Sequence, residues 1–280
     1  MKSSPSLLSD TAQPVVLGLA QLSHAGGRQV NQDAWGCAQQ EDLACIVVCD
    51  GVGGQHGGEI ASNVVVDSVL AKFLHEASVG PRALQSYIDH AVDQLTWRQS
   101  QIPRLKDMSS TVAVLLIDQK NRQALWGHMG DTRLYQFRHG KLHMATKDHS
   151  LIQQFVDAGH CSAEQLRRHP RRSILCAAVG AEGSAPAEVT QNATQLQDGD
   201  AFLLCTDGFW EWITETEMEQ AASQAGSAQE WLDLMHAVVE RNGGTATTKH
   251  DNCTAFTVLI TDPQQASADR TQPNIIRTNI

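Results

Sequence analysis

The chain has 280 residues, enough for one large domain or two modest ones and for a substantial buried core without crosslinks. Its formal net charge of -10 argues against a general nucleic-acid binder, which needs a basic face to neutralise phosphates. The seven cysteines include no CxxC pair, so we expect reduced thiols in a cytoplasmic protein instead of a disulfide framework or a zinc ribbon. The N-terminal segment lacks the apolar core of a signal peptide, and no apolar run approaches the roughly 20 residues of a membrane span.

Short runs rich in Val, Ile and Leu predict seven strands, because their length and composition are typical of strands. They cover residues 15–22, 43–49, 111–118, 123–129, 133–137, 201–205 and 254–260. Apolar residues at helical spacing predict helices over 59–76, 82–97, 149–158, 214–225 and 229–241. The strands arrive in clusters and do not alternate with helices, which favours an α+β layered fold over a doubly wound sheet.

One domain over residues 14–262 is the simplest organisation, since the sequence contains no internal repeat and no low-complexity core segment. Residues 1–13 and 263–280 are polar and aperiodic. We expect both to be flexible tails.

Residues 45–62, CIVVCDGVGGQHGGEIAS, join an apolar strand to a helix through Asp50 and five glycines. The glycines allow the backbone to approach another group closely. A P-loop is not supported, because Glu59-Ile60 stands where it needs Lys-Ser/Thr. A dinucleotide-binding loop fits poorly, since the Asp50 charge would repel a pyrophosphate. On this segment alone, a flexible turn remains an open alternative to a functional loop.

Three further aspartates stand at the ends of predicted strands. Asp207 follows the sixth strand, Asp251 precedes the seventh, and Asp131 lies in a Gly-Asp turn between the fourth and the fifth. Each one alone is typical of an ordinary turn. Carboxylates that meet at one rim repel each other unless cations lie between them, and Mg²⁺ and Mn²⁺ prefer such oxygen ligands. The four aspartates together therefore indicate a metal site.

These aspartates and their flanking sequences resemble the metal-dependent protein phosphatase 2C family in its bacterial form. The matching segments follow the family order through most of residues 15–261: GGRQVNQDAW, VVCDGVGGQHGGEIAS, SSTVAVLLI, GDTRLYQF, TKDHSLIQQFVDAG, HPRRSILCAAVG, LLCTDGFWEWI and DNCTAFTV. The resemblance implies a four-layer α/β/β/α sandwich of two antiparallel sheets flanked by helices, with two metals bound at one end.

The resemblance also implies the metal ligands. Asp50 would bridge two metals, with the Gly51 carbonyl as a further ligand to one of them. Asp207 and Asp251 would complete the other site. The cofactors would be two Mn²⁺ or Mg²⁺ ions, with a third and weaker ion held by Asp131 together with Asp207. Glu211 would be a further carboxylate at the site.

Two more residues receive roles from the same resemblance. Asp33 would lie behind the ligands and orient metal-bound water, and Arg28 would grip the phosphoryl oxygens. For Arg28 alone, an ordinary surface arginine is the alternative. The implied reaction is the hydrolysis of phosphoserine and phosphothreonine by a metal-bridging water or hydroxide, without a covalent intermediate.

The expected partners are proteins phosphorylated on Ser or Thr by a cognate kinase in signal transduction, with no nucleic acid and no membrane, and the expected state is a monomer. Two alternatives remain open. The first is a non-catalytic domain that binds phosphoproteins on the same fold. The second is a two-metal hydrolase of small phosphoesters.

Two positions depart from the family pattern. Val52 stands where eukaryotic relatives have a histidine thought to protonate the leaving group. His56 follows four residues later in the loop, so the general acid stays unassigned. Gln32 stands where many relatives have Glu, and its neutral amide predicts weaker binding of one metal.

A rival mechanism is suggested by HCSAEQLRR over residues 160–168, which matches the His-Cys-x5-Arg pattern of cysteine-dependent phosphatases. Cys161 would be the nucleophile and Arg167 the phosphate clamp. The segment has no glycine and carries Glu164 where a phosphate cradle needs bare backbone N–H groups, so we favour the metal mechanism. The overlapping residues 165–173, called the basic segment below, would either steer a phosphorylated partner towards the site or form a solvated helix end.

Overall fold

The computed structural model describes residues 13–243, 250–263 and 277–278, without the side chains of residues 54–56 and 277–278. The two predicted tails therefore lie almost wholly outside the described residues. Among the described residues, no helix combines the length and the apolar composition that crossing a membrane requires.

The described residues form strands and helices in clusters along the chain. In chain order the strands are β1 (Val16–His24), β2 (Asp33–Gln40), β3 (Leu43–Val52), β4 (Ser109–Ser110), β5 (Val112–Asp118), β6 (Gln123–Met129), β7 (Arg133–Arg138), β8 (Lys141–Ala145), β9 (Glu188–Val189), β10 (Thr194–Gln195), β11 (Ala201–Cys205), β12 (Cys253–Thr261) and β13 (Arg277–Thr278). The helices are α1 (Gly54–His75), α2 (Pro81–Gln101), α3 (Leu151–Asp157), α4 (Ala163–Leu166), α5 (Asp207–Trp210), α6 (Glu215–Gln224) and α7 (Ala228–Gly243), with a 3-10 turn at Pro103–Leu105.

The strands pair into two antiparallel sheets, as the layered fold requires. The first sheet has the order β1-β12-β11-β7-β8. The second has the order β10-β6-β5-β3-β2-β13, with β4 on β3 and β9 on β6. In the first sheet, β1 pairs with β12 along its whole length, so residues near both ends of the described chain meet in neighbouring strands.

Alternating side chains of the central strands divide the core into three layers of apolar contact. In β3, Ile46 and Val48 face the other sheet, whereas Val47 packs under α1 and α2. In β11, Phe202 lies between the sheets and Leu203 packs under the helices of the opposite face. This period of two follows from strand geometry. The result is a four-layer α/β/β/α sandwich, as predicted.

The seven predicted strands are all present, and three differences stand out. The helix expected from residue 59 begins at Gly54, so the end of the glycine-rich loop is already helical. β2 has the sequence DAWGCAQQ, whose Ala, Gly and Gln residues have low strand propensity, and it forms because it pairs with β3 over eight positions. The short helix α5 was not predicted, because four residues are too few to show a helical period.

Candidate metal centre

Strand register brings the predicted site residues to one end of the sandwich. Asp33, at the start of β2, lies opposite Asp50 near the end of β3. The end of β11 lies beside the start of β12, so Asp207 and Asp251 stand at the ends of neighbouring strands. The turn that carries Asp131 joins β6 to β7 and connects the two sheets at this end. These five residues are called the aspartate cluster below.

The backbone of Asp50 is held on both sides by Thr111. The Asp50 N–H donates to Thr111 Oγ1 at 2.8 Å, and the Thr111 N–H donates to the Asp50 carbonyl at 2.8 Å. Thr111 Oγ1 also shares a 2.6 Å hydrogen bond with Thr132 Oγ1, next to Asp131. The strand end that carries Asp50 and the turn that carries Asp131 are therefore fixed relative to each other.

Asp33 is joined to the Asp207 segment by the buried hydroxyl of Thr206. Thr206 Oγ1 donates to Asp33 Oδ2 at 2.8 Å, and it accepts a 3.1 Å hydrogen bond from the Thr254 N–H. Asp33 therefore lies beside Asp50 and in contact with the strand end that carries Asp207.

Two glycines allow close backbone contact in the cluster. A Cβ on Gly51 would lie 1.9 Å from the Gly58 carbonyl oxygen, and a Cβ on Gly208 would lie 2.0 Å from the Asn252 carbonyl oxygen. Only glycine fits at either position. The first contact holds the loop after Asp50 against the start of α1, and the second holds α5 against the segment before β12.

Asn252 is a buried residue that the sequence did not single out. Its Nδ2 donates to the carbonyls of Ala25 and Val30 at 3.0 and 2.9 Å, and its Oδ1 accepts from the Gln32 N–H at 2.8 Å. These bonds attach the loop that carries Arg28 to the residue after Asp251. Only the tertiary structure could reveal this role, because an Asn after Asp is an ordinary turn pair in sequence.

Trp210 is a second site residue that sequence reasoning missed. Its fully buried ring lies at the end of α5, which begins with Asp207, and its Nε1–H donates to the Asp131 carbonyl at 2.9 Å. The Arg133 guanidinium stacks 3.5 Å from the ring centre and is held by two hydrogen bonds, of 2.7 and 2.8 Å, to Asp148. Trp210 therefore holds the segments of Asp131 and Asp207 together.

The aspartate cluster is electrostatically strained without a cation. Burial and then the charges of Asp33, Asp207, Asp131 and Asp251 raise the pKa of Asp50 well above its usual value. Burial raises the pKa of both Asp33 and Asp131 to about 7. Burial and neighbouring carboxylates likewise raise the pKa of Asp207. The charges of neighbouring carboxyl groups thus act on both Asp50 and Asp207.

Two arginines lie at the rim of the cluster. Arg28 Nη2 donates to Asp251 Oδ2 at 2.7 Å, in a pair that stays about half exposed to solvent. Arg172, from the basic segment, forms a two-bond ion pair with Glu211, whose side chain is nearly buried. Arg28 and Arg172 also line an open groove of about 1940 Å³ that runs from the cluster between the basic segment and α6.

The residues of the cluster fit a hard divalent cation. They offer several carboxylate oxygens at neighbouring strand ends, and such oxygens are the ligands that Mg²⁺ and Mn²⁺ prefer. Within the described chain, Asp33 Oδ1 is buried and accepts no hydrogen bond. Buried carboxyls that repel one another and lack donors are stabilised by cations. The predicted metal ligands Asp50, Gly51, Asp207, Asp251, Asp131 and Glu211 therefore lie at the same end of the sandwich.

The cysteine mechanism receives no geometric support. Ser162 and Gln165 cap the start of α4 with reciprocal hydrogen bonds, so the backbone N–H groups of these two residues are already used. Arg167 donates to the Trp210 carbonyl and pairs with Glu215. It therefore has a structural role away from Cys161.

The two departures from the family pattern can also be located. Val52 is exposed at the end of β3, and a valine has no proton to give. The Gln32 N–H donates to Asn252 and its carbonyl accepts from Gly51, so Gln32 connects β2 to the cluster through its backbone. The side chain of His56 lies outside the described residues.

Comparison with known proteins gives the family. The sequence profile described as Protein phosphatase 2C matches residues 20–249. The chain belongs to the protein phosphatase 2C family. The resemblance stated from the sequence is therefore confirmed.

Several bacterial members of the protein phosphatase 2C family are similar to this chain. The "Serine/threonine phosphatase stp" of Listeria monocytogenes is 28% identical over 239 residues, which are 82% of this chain and 90% of that protein. The "Serine/threonine protein phosphatase PstP" of Mycobacterium tuberculosis is 29% identical over 235 residues, 81% of this chain and 42% of that protein. The match thus extends over most of the residues that form the sandwich.

Solved structures have the same fold. The Mycobacterium tuberculosis phosphatase PstP/Ppp superposes with a TM-score of 0.73 at 26% identity, covering 88% of this chain and 99% of that one. PppA of Pseudomonas aeruginosa superposes with a TM-score of 0.67 at 27% identity, covering 89% of this chain and 100% of that one. A structure of the catalytic domain of PstP is described as a complex with 2 manganese ions, with a TM-score of 0.74, 24% identity and coverage of 89% and 100%.

The raised pKa values predict how pH changes the stability of the metal-free protein. A carboxyl with a pKa of about 7 in the fold and an unfolded value of 3.8 stabilises the fold fully below about pH 4 and loses this contribution as pH rises through about 7. In EDTA, the melting temperature should fall between about pH 5 and about pH 8. Asp131→Asn should show a smaller fall, because its amide cannot ionise. Falls of equal size in the two proteins would contradict the raised pKa of Asp131.

Trp210→Phe should weaken Mn²⁺ binding, because it removes the N–H that joins Asp131 to α5. We expect a loss of about 1–3 kcal/mol in stability and a several-fold rise in the Mn²⁺ concentration for half-maximal activity. Trp231→Phe is the matched control, since Trp231 is also buried and its Nε1–H donates to the Met218 carbonyl at 3.3 Å, in α6. Equal effects of the two variants on Mn²⁺ dependence would show that only general stability had changed.

Proposed function

We propose that the chain is a metal-dependent protein phosphatase that removes phosphate from phosphoserine and phosphothreonine in proteins. The observation that carries this proposal is the aspartate cluster, which joins five buried or half-buried carboxyl groups at one end of a protein phosphatase 2C sandwich. Its bacterial relatives are named serine/threonine phosphatases, and the PstP catalytic domain is described with two manganese ions.

The proposed metal ligands are Asp50, the Gly51 carbonyl, Asp207 and Asp251, with Asp131 and Glu211 available for a third and weaker ion. Bound Mn²⁺ or Mg²⁺ supplies the positive charge that a phosphate dianion needs and lowers the pKa of water towards neutrality. Burial of the carboxyl groups suits this task, because a low-dielectric surrounding strengthens their attraction to a cation.

Asp33 acts on water without direct contact to the phosphate. Its Oδ2 is held by Thr206, which leaves the buried Oδ1 to accept a hydrogen bond from a water molecule at the cluster. Cations held by the neighbouring carboxylates would favour the ionised form of Asp33, which accepts this hydrogen bond.

Arg28 binds the substrate at the exposed edge of the cluster. The guanidinium is paired with Asp251, and the charges of Asp207 and Asp50 also raise its pKa. With Asp251 acting as a metal ligand, this pair would be weaker, and the guanidinium fork would be free to form two-bond contacts with phosphoryl oxygens.

We also propose that residues 14–262 form one catalytic domain. The supporting observation is the pairing of β1 with β12, which joins the two ends of this range. Phosphoproteins made by a cognate Ser/Thr kinase are the proposed partners, and the large volume of the groove beside the cluster, about 1940 Å³, supports a protein substrate. The monomeric state stays a prediction.

Chelation and a cysteine variant together test the metal mechanism against the cysteine mechanism. EDTA should remove the hydrolysis of a phosphothreonine peptide, added Mn²⁺ should restore it, and Cys161→Ser should keep most of the activity. Asp50→Asn should abolish hydrolysis at saturating Mn²⁺. Activity that survives EDTA and is lost in Cys161→Ser would overturn the metal mechanism.

The same assays also test the substrate class. A small phosphoester that is hydrolysed faster than every phosphopeptide would favour the alternative of a small-phosphoester hydrolase.

Arg28→Ala should raise KM for a phosphopeptide by on the order of 10-fold and lower kcat/KM, because a charge-assisted contact to phosphate is removed. Its Mn²⁺ requirement should not increase, since Asp251 loses a competing partner. Arg82→Ala is the control, because Arg82 is an exposed arginine of α2. An unchanged KM for the phosphopeptide in Arg28→Ala would make Arg28 an ordinary surface arginine.

A further inference from the structure

A second group of potential metal ligands lies outside the aspartate cluster. It consists of His128 near the end of β6, His149 just before α3, and Glu188 in β9, and one ligand atom from each lies within 4.8 Å of the other two. His128 and Glu188 stand directly opposite each other in the β6–β9 pair. The His149 N–H donates to the Gly130 carbonyl at 2.8 Å, and its carbonyl accepts from Cys176 at 2.7 Å. Backbone hydrogen bonds therefore fix all three positions.

His128 has the environment of a metal-binding histidine. Its ring is buried, and its Nε2 lies 2.8 Å from the Lys147 carbonyl, which can only accept a hydrogen bond. The proton is thus on Nε2, and Nδ1 has a free lone pair. Metal-binding histidines are oriented in this way by a carbonyl or carboxylate on the second nitrogen. Burial lowers the pKa of His128, so the ring is neutral near pH 7 and able to bind a cation.

His149 stacks on His128, with ring centres 4.6 Å apart and planes 26° apart. Its Nε2 lies 3.6 Å from Glu188 Oε2, and its Nδ1 accepts a long 3.3 Å hydrogen bond from the Gly130 N–H. For Nε2 to bind a cation, the proton of the neutral ring moves from Nε2 to Nδ1, and the long bond from Gly130 is lost. No net proton leaves the ring.

We propose that His128, His149 and Glu188 form a second metal site that takes a borderline ion such as Zn²⁺ or Co²⁺. Two imidazole nitrogens and one carboxylate are a known ligand set for zinc, with a fourth position open to water. Tetrahedral zinc needs ligand atoms about 3.4 Å apart, given bonds of about 2.1 Å. The three ligand atoms can approach to this spacing because the Glu188 side chain is 70% exposed and free to rotate towards His128, which is fixed.

The two sites differ in the ions that they select. The aspartate cluster offers oxygen ligands only, which favour Mg²⁺ and Mn²⁺, whereas imidazole nitrogens favour Zn²⁺ and Co²⁺. A cation at the second site would join β6, β9 and the segment before α3. Binding of this cation should stabilise the fold, and the stabilisation should increase with the ratio of the free ion concentration to Kd.

Cobalt titration in the presence of saturating Mg²⁺ tests this proposal, because tetrahedral Co²⁺ has intense visible absorption bands and octahedral Co²⁺ has weak ones. The protein carries Asp50→Asn, so that the aspartate cluster is disabled and no activity is needed for the readout. We expect one equivalent of tetrahedral Co²⁺, displaced by Zn²⁺, and a rise in melting temperature with Zn²⁺.

Variants at the second site complete the experiment. Glu188→Gln and His149→Gln should each weaken cobalt binding by at least about tenfold, because each removes one of three ligands. Glu182 is an exposed glutamate that lies shortly before Glu188 in the chain, so Glu182→Gln should leave cobalt binding unchanged. Equal metal-free melting temperatures of the two glutamate variants show that folding is preserved. The absence of a tetrahedral band, or a band of unchanged affinity in Glu188→Gln, would overturn the proposal.

Discussion

Repulsion among buried carboxyl groups is the constraint on which the rest of this structure depends. At one end of the sandwich, burial and then the charges of neighbouring carboxyl groups raise the pKa of Asp50 and Asp207. A fold would not concentrate these groups for its own stability, since burial of a charge without a partner is costly. The arrangement makes sense when divalent cations hold the carboxylates together, as expected for the protein phosphatase 2C family.

The surroundings of the cluster hold it in place without neutralising it. Hydroxyl groups of Thr111 and Thr206 bond to the Asp50 backbone and to Asp33, and the indole of Trp210 joins the segments of Asp131 and Asp207. Positive charge is kept at the rim. Arg28 and Arg172 pair with Asp251 and Glu211, at the entrance of the groove. The two guanidinium groups therefore lie between the groove and the buried aspartates.

The basic segment makes two kinds of structural contribution in this arrangement. Arg167 and Arg172 attach it to Glu215 and Glu211, which lie in the same stretch of chain as Asp207. The segment therefore packs against the stretch of chain that follows Asp207 as well as lining the groove. Its predicted alternative, a solvated helix end, applies only to its exposed residues. The proposed His128–His149–Glu188 site lies just before α3, so a borderline ion and the hard ions of the cluster would both stabilise this part of the fold.

The sequence by itself determined the strand and helix pattern, the α+β class and the identity of the aspartates, because periodicity and turn motifs are local properties. Asp50, Asp207 and Asp251 were recognisable, since each stands beside an apolar strand. Only the tertiary structure decided that β2 is a strand, that Trp210 and Asn252 support the cluster, and that Arg172 pairs with Glu211. It alone joined His128, His149 and Glu188. These contacts link residues as far as 227 positions apart, as in the hydrogen bond from Asn252 to Ala25, and no local pattern encodes such distances.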